Sequence, residues 1–113
     1  MNEEQTIKLF LQQVLQVLKV AEQEFNLDLS NVSVIAAPLS VPARTFYEGD
    51  GMVVFNPEFI LNHFDVMVEN AIAHEVAHIV VHHRPEYGSG HDLGWKKVKE
   101  HLESTAELVG SLS

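Results

Sequence analysis

The amino-acid sequence predicts an α+β domain, and three observations carry that prediction. Apolar residues recur every three or four positions up to residue 25, alternate with polar ones in β-branched stretches between residues 31 and 55, and return to helical spacing from about residue 65. Proline and glycine stand where the period changes. At 113 residues and 46% hydrophobic content, the chain has the length and composition for one domain with one core.

The first element, residues 3 to about 25, is an amphipathic helix. Ile7, Phe10, Leu11, Val14, Leu18, Ala21 and Phe25 form its apolar stripe, and Lys8, Gln12, Gln16, Lys19 and Gln23 fill the opposite side. The β-branched segment NVSVIAA, residues 31–37, reads as a strand that ends at Pro38, and Pro42 keeps the following residues in a loop or at an edge. ARTFY (43–47) and MVVF (52–55) flank the turn residues EGDG, the pattern of a β-hairpin with Asp50-Gly51 as its turn signal. The order in which the strands pair stays open. Met52 to Phe55 is either an inner strand or an edge able to hold an extended peptide.

Asn56-Pro57-Glu58 has the signature of a helix start, with an N-cap, a proline at the first helical position and an acid in the first turn, and predicts a short helix to about Leu61. A second apolar helix runs from about Asp65 to His83, where Arg84-Pro85 stops it. RPEYGSG, residues 84–90, forms a loop. A final helix from about Asp92 to Val109 turns Leu93, Val98, Leu102, Ala106 and Val109 toward the core, with Ser89 and Asp92 in capping-box spacing at its start.

Composition excludes several function classes. Without cysteine there are no disulfides and no thiolate ligands, so any metal is held by histidine and carboxylate. The formal net charge of −9 argues against standing affinity for nucleic acid, and Lys96, Lys97 and Lys99, the only close basic group, read as a solvated helix face. No stretch approaches the roughly 18 apolar residues that span a bilayer, and MNEEQTIK lacks the basic flank of a signal peptide. The expected compartment is the cytoplasm.

Within ENAIAHEVAHIVVHH, residues 69–83, His74, Glu75 and His78 stand in the spacing H-E-x-x-H. Positions four apart on a helix lie one turn above each other, so both imidazoles leave the same face, about 6 Å apart along the axis, as two ligands of one zinc do. Glu75 falls one residue round, where its carboxylate serves as a general base rather than as a ligand. A chain with seven histidines and sixteen acidic residues can produce this pattern by chance, so its setting matters. Ala71, Ile72, Ala73, Val76, Ala77, Ile79, Val80 and Val81 make the helix apolar on almost every side, the mark of a buried element. Two histidines and a glutamate left unpartnered there cost several kcal/mol, and a metal removes that cost.

A catalytic zinc takes a third protein ligand, for which His82, His83, His91, His101 and the glutamates of the last helix are the candidates. His82 shares the face of His74 and His78 but lies about 12 Å along the axis from His74. His83 points away from that face, and both read as structural or solvated. His91 follows a Gly-Ser-Gly reversal, which lets the chain fold back and present it opposite the motif helix.

The stretch HEVAH, eleven intervening residues and then GHDLGWKKV resembles the SprT-like, or Spartan-like, zinc metallopeptidase domain, whose pattern is HExxH followed by Gly-His-Gly-x-x-aromatic. ARTFYEGDGMVVFNPEFI also resembles that family's hairpin and the Asn-Pro that leads into a short helix. The resemblance covers about residues 30–100. It implies a single minimal zincin-like domain over residues 1–113, with an N-terminal helix, a three-stranded sheet containing a hairpin, the HExxH helix and a C-terminal helix. It further implies that His74, His78 and His91 bind Zn2+, that Glu75 is the catalytic base, and that the substrate is a protein or peptide. Asp92 departs from the family by replacing its second glycine. No zinc ribbon and no basic DNA-binding segments are expected, so nucleic-acid binding is expected to be weak or absent and no membrane partner is expected.

Three other readings compete. One is a metal-stabilised binding or regulatory module, which Glu75 disfavours because a structural site needs no base. The second is a regulatory peptidase that cleaves repressors and shares every feature above. The third is a three-histidine ribonuclease, whose spacing H-x-x-x-H-x-x-x-x-x-H lacks the glutamate. Tyr47, Tyr87, His82 and Arg84 are candidate oxyanion donors, and Trp95 reads as a core anchor for the segment that bears His91. Neither the substrate nor the oligomeric state follows from these residues.

Overall fold

The computed structural model describes the backbone of residues 2–112 and the side chains of residues 2–104. Helix α1 (Glu3–Phe25) has the predicted bounds because both ends are capped. The Asn2 side chain accepts the Gln5 amide while the Gln5 side chain accepts the Asn2 amide, and Asn26 closes the helix in the left-handed conformation. Phe10, Val14, Val17, Leu18 and Ala21 are its buried stripe, with Ile7, Leu11 and Phe25 packed at the margin.

Strands β1 (Ser33–Ala36), β2 (Ala43–Phe46) and β3 (Met52–Phe55) form one sheet in the order β1-β3-β2. β3 pairs in parallel with β1 and antiparallel with β2, so it is the inner strand and β2 is an edge. Gly51, at φ +102°, closes the hairpin, and a Cβ there would lie 2.6 Å from Ile79 Cδ1. The Asn56 amide donates to the Pro42 carbonyl at 2.8 Å, which marks that pair as hydrogen-bonded. By antiparallel alternation Arg44 and Phe46 then bond to β3, and the backbone groups of Ala43 and Thr45 point to the open side.

Helix α2 (Pro57–Asn62) starts as predicted. The Asn56 side chain caps the Glu58 amide and also donates to the Leu39 carbonyl, tying the 38–42 loop to the helix start. The motif helix departs from expectation in its first half. It begins as α3 (Phe64–Val66), passes through a π turn (Met67–Ala71) in which the Ile72 amide reaches back five residues to Met67, and continues as α4 (Ile72–His83). A short 3-10 turn (Pro85–Tyr87) occupies the loop after it.

Helix α5 (Leu93–Leu112) is capped by Asp92, not Ser89. Asp92 Oδ1 accepts the Trp95 amide and Oδ2 accepts the Ser89 amide, each at 2.9 Å. Gly94 is dictated by a crossing, because a Cβ there would lie 1.9 Å from the Tyr87 carbonyl oxygen. Val98 and Leu102 reach the core as predicted, whereas Leu93 is 68% exposed. Ala106 and Val109 lie outside the described side chains.

α4 sits at the centre of the packing, against α1, α5 and the inner face of the sheet. Its Val76, Ala77, Ile79 and Val80 are fully buried beside Phe10, Val53 and Phe55. Among the described residues, no helix is long and apolar enough to cross a membrane.

Candidate metal centre

His74 and His78 leave one face of α4, and the turn before α5 brings His91 to them. One nitrogen from each ring lies within 4.8 Å of the others. His78 Nε2 and His91 Nε2 are 3.0 Å apart. Ligand nitrogens about 2.0 to 2.1 Å from a tetrahedral ion are separated by about 3.3 Å, so the spread of this cluster suits one small cation. The protonation states fit as well. Burial, with smaller contributions from His91 and Lys99, lowers the pKa of His74, and burial with the neighbouring imidazoles lowers that of His78 to about 4. Both rings are therefore neutral near pH 7, the form that ligates. The three histidines expected to hold a metal lie close enough together to do so.

Trp95 is 6% exposed and forms a wall shared by all three imidazoles. Its ring centroid lies 4.8 Å from that of His74, 5.0 Å from His78, on which it stacks, and 4.6 Å from His91. The indole thus packs against all three imidazoles at once. Its Nε1 hydrogen is buried with no acceptor among the described residues.

Glu75 projects toward the sheet and is 7% exposed. Burial raises its pKa, and a hydrogen bond from Thr45 opposes the rise. Thr45 Oγ1 donates to Glu75 Oε2 at 2.5 Å. The register of β2 explains the meeting, since Thr45 is paired with Val53 and so shares the sheet face that α4 covers. Thr45 was not foreseen, because a threonine in a strand carries no sign of its partner 30 residues away.

His82 and His83 are structural, as expected. Their Nε2 atoms lie 2.9 Å from the Gly49 and Asp50 carbonyl oxygens and pin the hairpin turn to the end of α4. Of the four candidate oxyanion donors, three are engaged elsewhere: His82 at that turn, Arg84 Nη2 on the Asn26 carbonyl, and Tyr87 against Phe25. Tyr47 borders the cluster with its ring centroid 6.4 Å from that of His78. Burial and the nearby Glu75 carboxylate raise its pKa. His101 lies against Glu24 and Phe25, away from the three clustered histidines.

Two grooves flank the cluster. One, of about 570 Å3, lies between β2, α2 and the π turn and has His74 and Glu75 in its wall. The other, of about 420 Å3, is bordered by Tyr47, His78, His82 and Gly88 to Gly90. No protein-family model, curated protein or solved structure matches this chain.

Proposed function

We propose that the protein is a zinc-dependent metallopeptidase of the SprT-like, minimal zincin type, hydrolysing peptide bonds in a protein or peptide substrate. One observation carries the reading. A buried carboxylate, Glu75, follows directly on a member of a three-histidine cluster that includes no fourth histidine or carboxylate among the described residues. Three imidazole ligands leave a coordination position open, and a structural site has no use for a base beside one.

His74, His78 and His91 would hold a zinc ion, which would supply a Lewis acid to activate water. Glu75 accepts the proton of the attacking water and passes it to the leaving amine. Thr45 holds Oε2 and leaves Oε1 for the proton. Burial raises the proton affinity of this carboxylate, which suits a group that must both take and return a proton. The open edge of β2 offers Ala43 and Thr45 backbone groups to an extended substrate, a role taken by β2 rather than by Met52 to Phe55. Tyr47, which borders the cluster, is the candidate to donate a hydrogen bond to the carbonyl oxygen under attack.

Metal analysis and hydrolysis assays on wild type and Glu75→Gln test the reading. One zinc per chain in both proteins, with hydrolysis of unfolded protein only by wild type, is the expected result. Loss of zinc in Glu75→Gln would make Glu75 a ligand, and equal turnover would remove it from the chemistry.

A further inference from the structure

We propose that the groove between β2, α2 and the π turn is a side-chain pocket that selects a bulky apolar residue of the substrate, immediately beside the bond to be cleaved. The inference rests on the hydrolase reading for its substrate, and on the groove itself for its selectivity. Six apolar residues line it: Phe59 from α2, Val66 and Met67 before and at the start of the π turn, Ala71 at its end, and Pro42 and Ala43 from the β2 side; the exposed His63, between α2 and α3, also borders it. Two of these six are alanines, and their small side chains leave the space open. At about 570 Å3 the volume falls within the range of pockets that enclose small organic groups.

The π turn helps make the pocket. With Ile72 bonded five residues back to Met67, an extra residue is accommodated in the turn before His74. Asn70, exposed and one turn before His74, stands at the edge of the groove. Lys99 also borders it, but its ammonium is engaged by Glu103 on the same helix.

The sheet supplies the direction of approach. The unpaired backbone groups of β2 belong to Ala43 and Thr45, whose side chains face α4. A peptide strand added to that edge places the residue opposite Ala43 on the same face as Ala43, and its side chain enters the groove. His74 and Glu75 form the groove's inner wall, so the side chain is held next to the reacting carbonyl. An apolar side chain loses water there at a gain. A polar side chain would instead give up its water against the apolar walls at a cost.

The test uses zinc-loaded Glu75→Gln and four blocked glycine pentapeptides with Phe, Leu, Gly or Asn at the centre, with binding followed by backbone amide NMR shifts. The Phe and Leu peptides are expected to bind about tenfold or more tightly than the other two and to shift the amides of Val66, Asn70 and Ala71. Val66→Asp alters a residue that is 57% exposed and so spares the core; it should weaken Phe-peptide binding about threefold or more. Ala71→Phe, which fills the groove, should erase the preference. Equal affinity for all four peptides, no binding by any, or shifts confined to Tyr47 and Gly88 to Gly90 would overturn the proposal. The two readings fail separately. Selective binding with no cleavage by wild type defeats the hydrolase and keeps the pocket, whereas cleavage with no side-chain preference defeats the pocket and keeps the hydrolase.

Discussion

A buried carboxylate keeps its place and its charge through what it touches, and Glu75 touches Thr45. Replacing Thr45 with valine keeps the shape and removes the only side-chain donor that faces Oε2 among the described residues. Turnover is expected to fall about tenfold to a hundredfold as the base loses its orientation, with zinc retained, and Thr45→Ser should restore most of it. Paired kinetics and metal analysis of the two variants check this; a valine variant with wild-type kcat would show that the hydroxyl only fills space. The histidines divide in the same way. His91→Ala is expected to abolish tight zinc binding, because two imidazoles on one helix face remain. His82→Ala should keep zinc and lose about 1 kcal/mol of stability with the bond to the Gly49 carbonyl. The opposite pattern in a metal titration would reassign the third ligand.

At the scale of elements, the segment between α4 and α5 decides how firmly the third ligand is held. His91 is exposed and precedes the Asp92 cap, whereas Trp95, Val98 and Leu102 anchor α5 in the core. Removing zinc is therefore expected to speed amide exchange from Gly88 to Asp92 and to leave Val98 and Leu102 protected. Exchange measured with and without chelator tests it, and no change near His91 would mean that His91 does not hold the metal. The anchor also depends on a backbone crossing. Gly94→Ala forces the Tyr87 carbonyl away and is expected to cost about 2 to 3 kcal/mol, a fall in melting temperature of roughly 10 °C or more. Thermal denaturation measures it directly.

For the molecule as a whole, the core is built from apolar side chains of α1, the sheet, α2, the π turn, α4 and α5. The metal-free protein is thus expected to keep its far-UV helical signal while losing the stabilisation that ligand binding adds, about 3 kcal/mol when free zinc is a hundredfold above its Kd. Collapse of the helical signal on chelation would show that zinc organises the fold. The net charge of −9 leaves little for phosphate to engage, and among the clustered lysines Lys99 is held by Glu103. Binding to duplex DNA at about 150 mM salt is expected to be undetectable. A salt titration of anisotropy checks it.

The sequence by itself determined what depends on neighbours along the chain. The bounds of α1 follow from its Asn2 cap and its three- and four-residue apolar steps, the start of α2 from Asn56-Pro57, and the hairpin from its turn residues; in each case the physical cause spans fewer than five residues. The shared face of His74 and His78 belongs to the same class, because a helix fixes positions four apart. Only the tertiary structure decided the rest. That β3 is inner and β2 the edge depends on the parallel pairing with β1, which no local pattern encodes. The π turn before His74 leaves the apolar period nearly unchanged, so the sequence reads as one unbroken helix. Thr45 reaches Glu75 through sheet register, Trp95 meets three imidazoles through the packing of α5 on α4, and the small side chains of Ala43 and Ala71 become a groove only when β2 and the π turn face each other. These contacts join residues far apart in sequence, and their geometry is set by how the elements pack rather than by the residues that flank them.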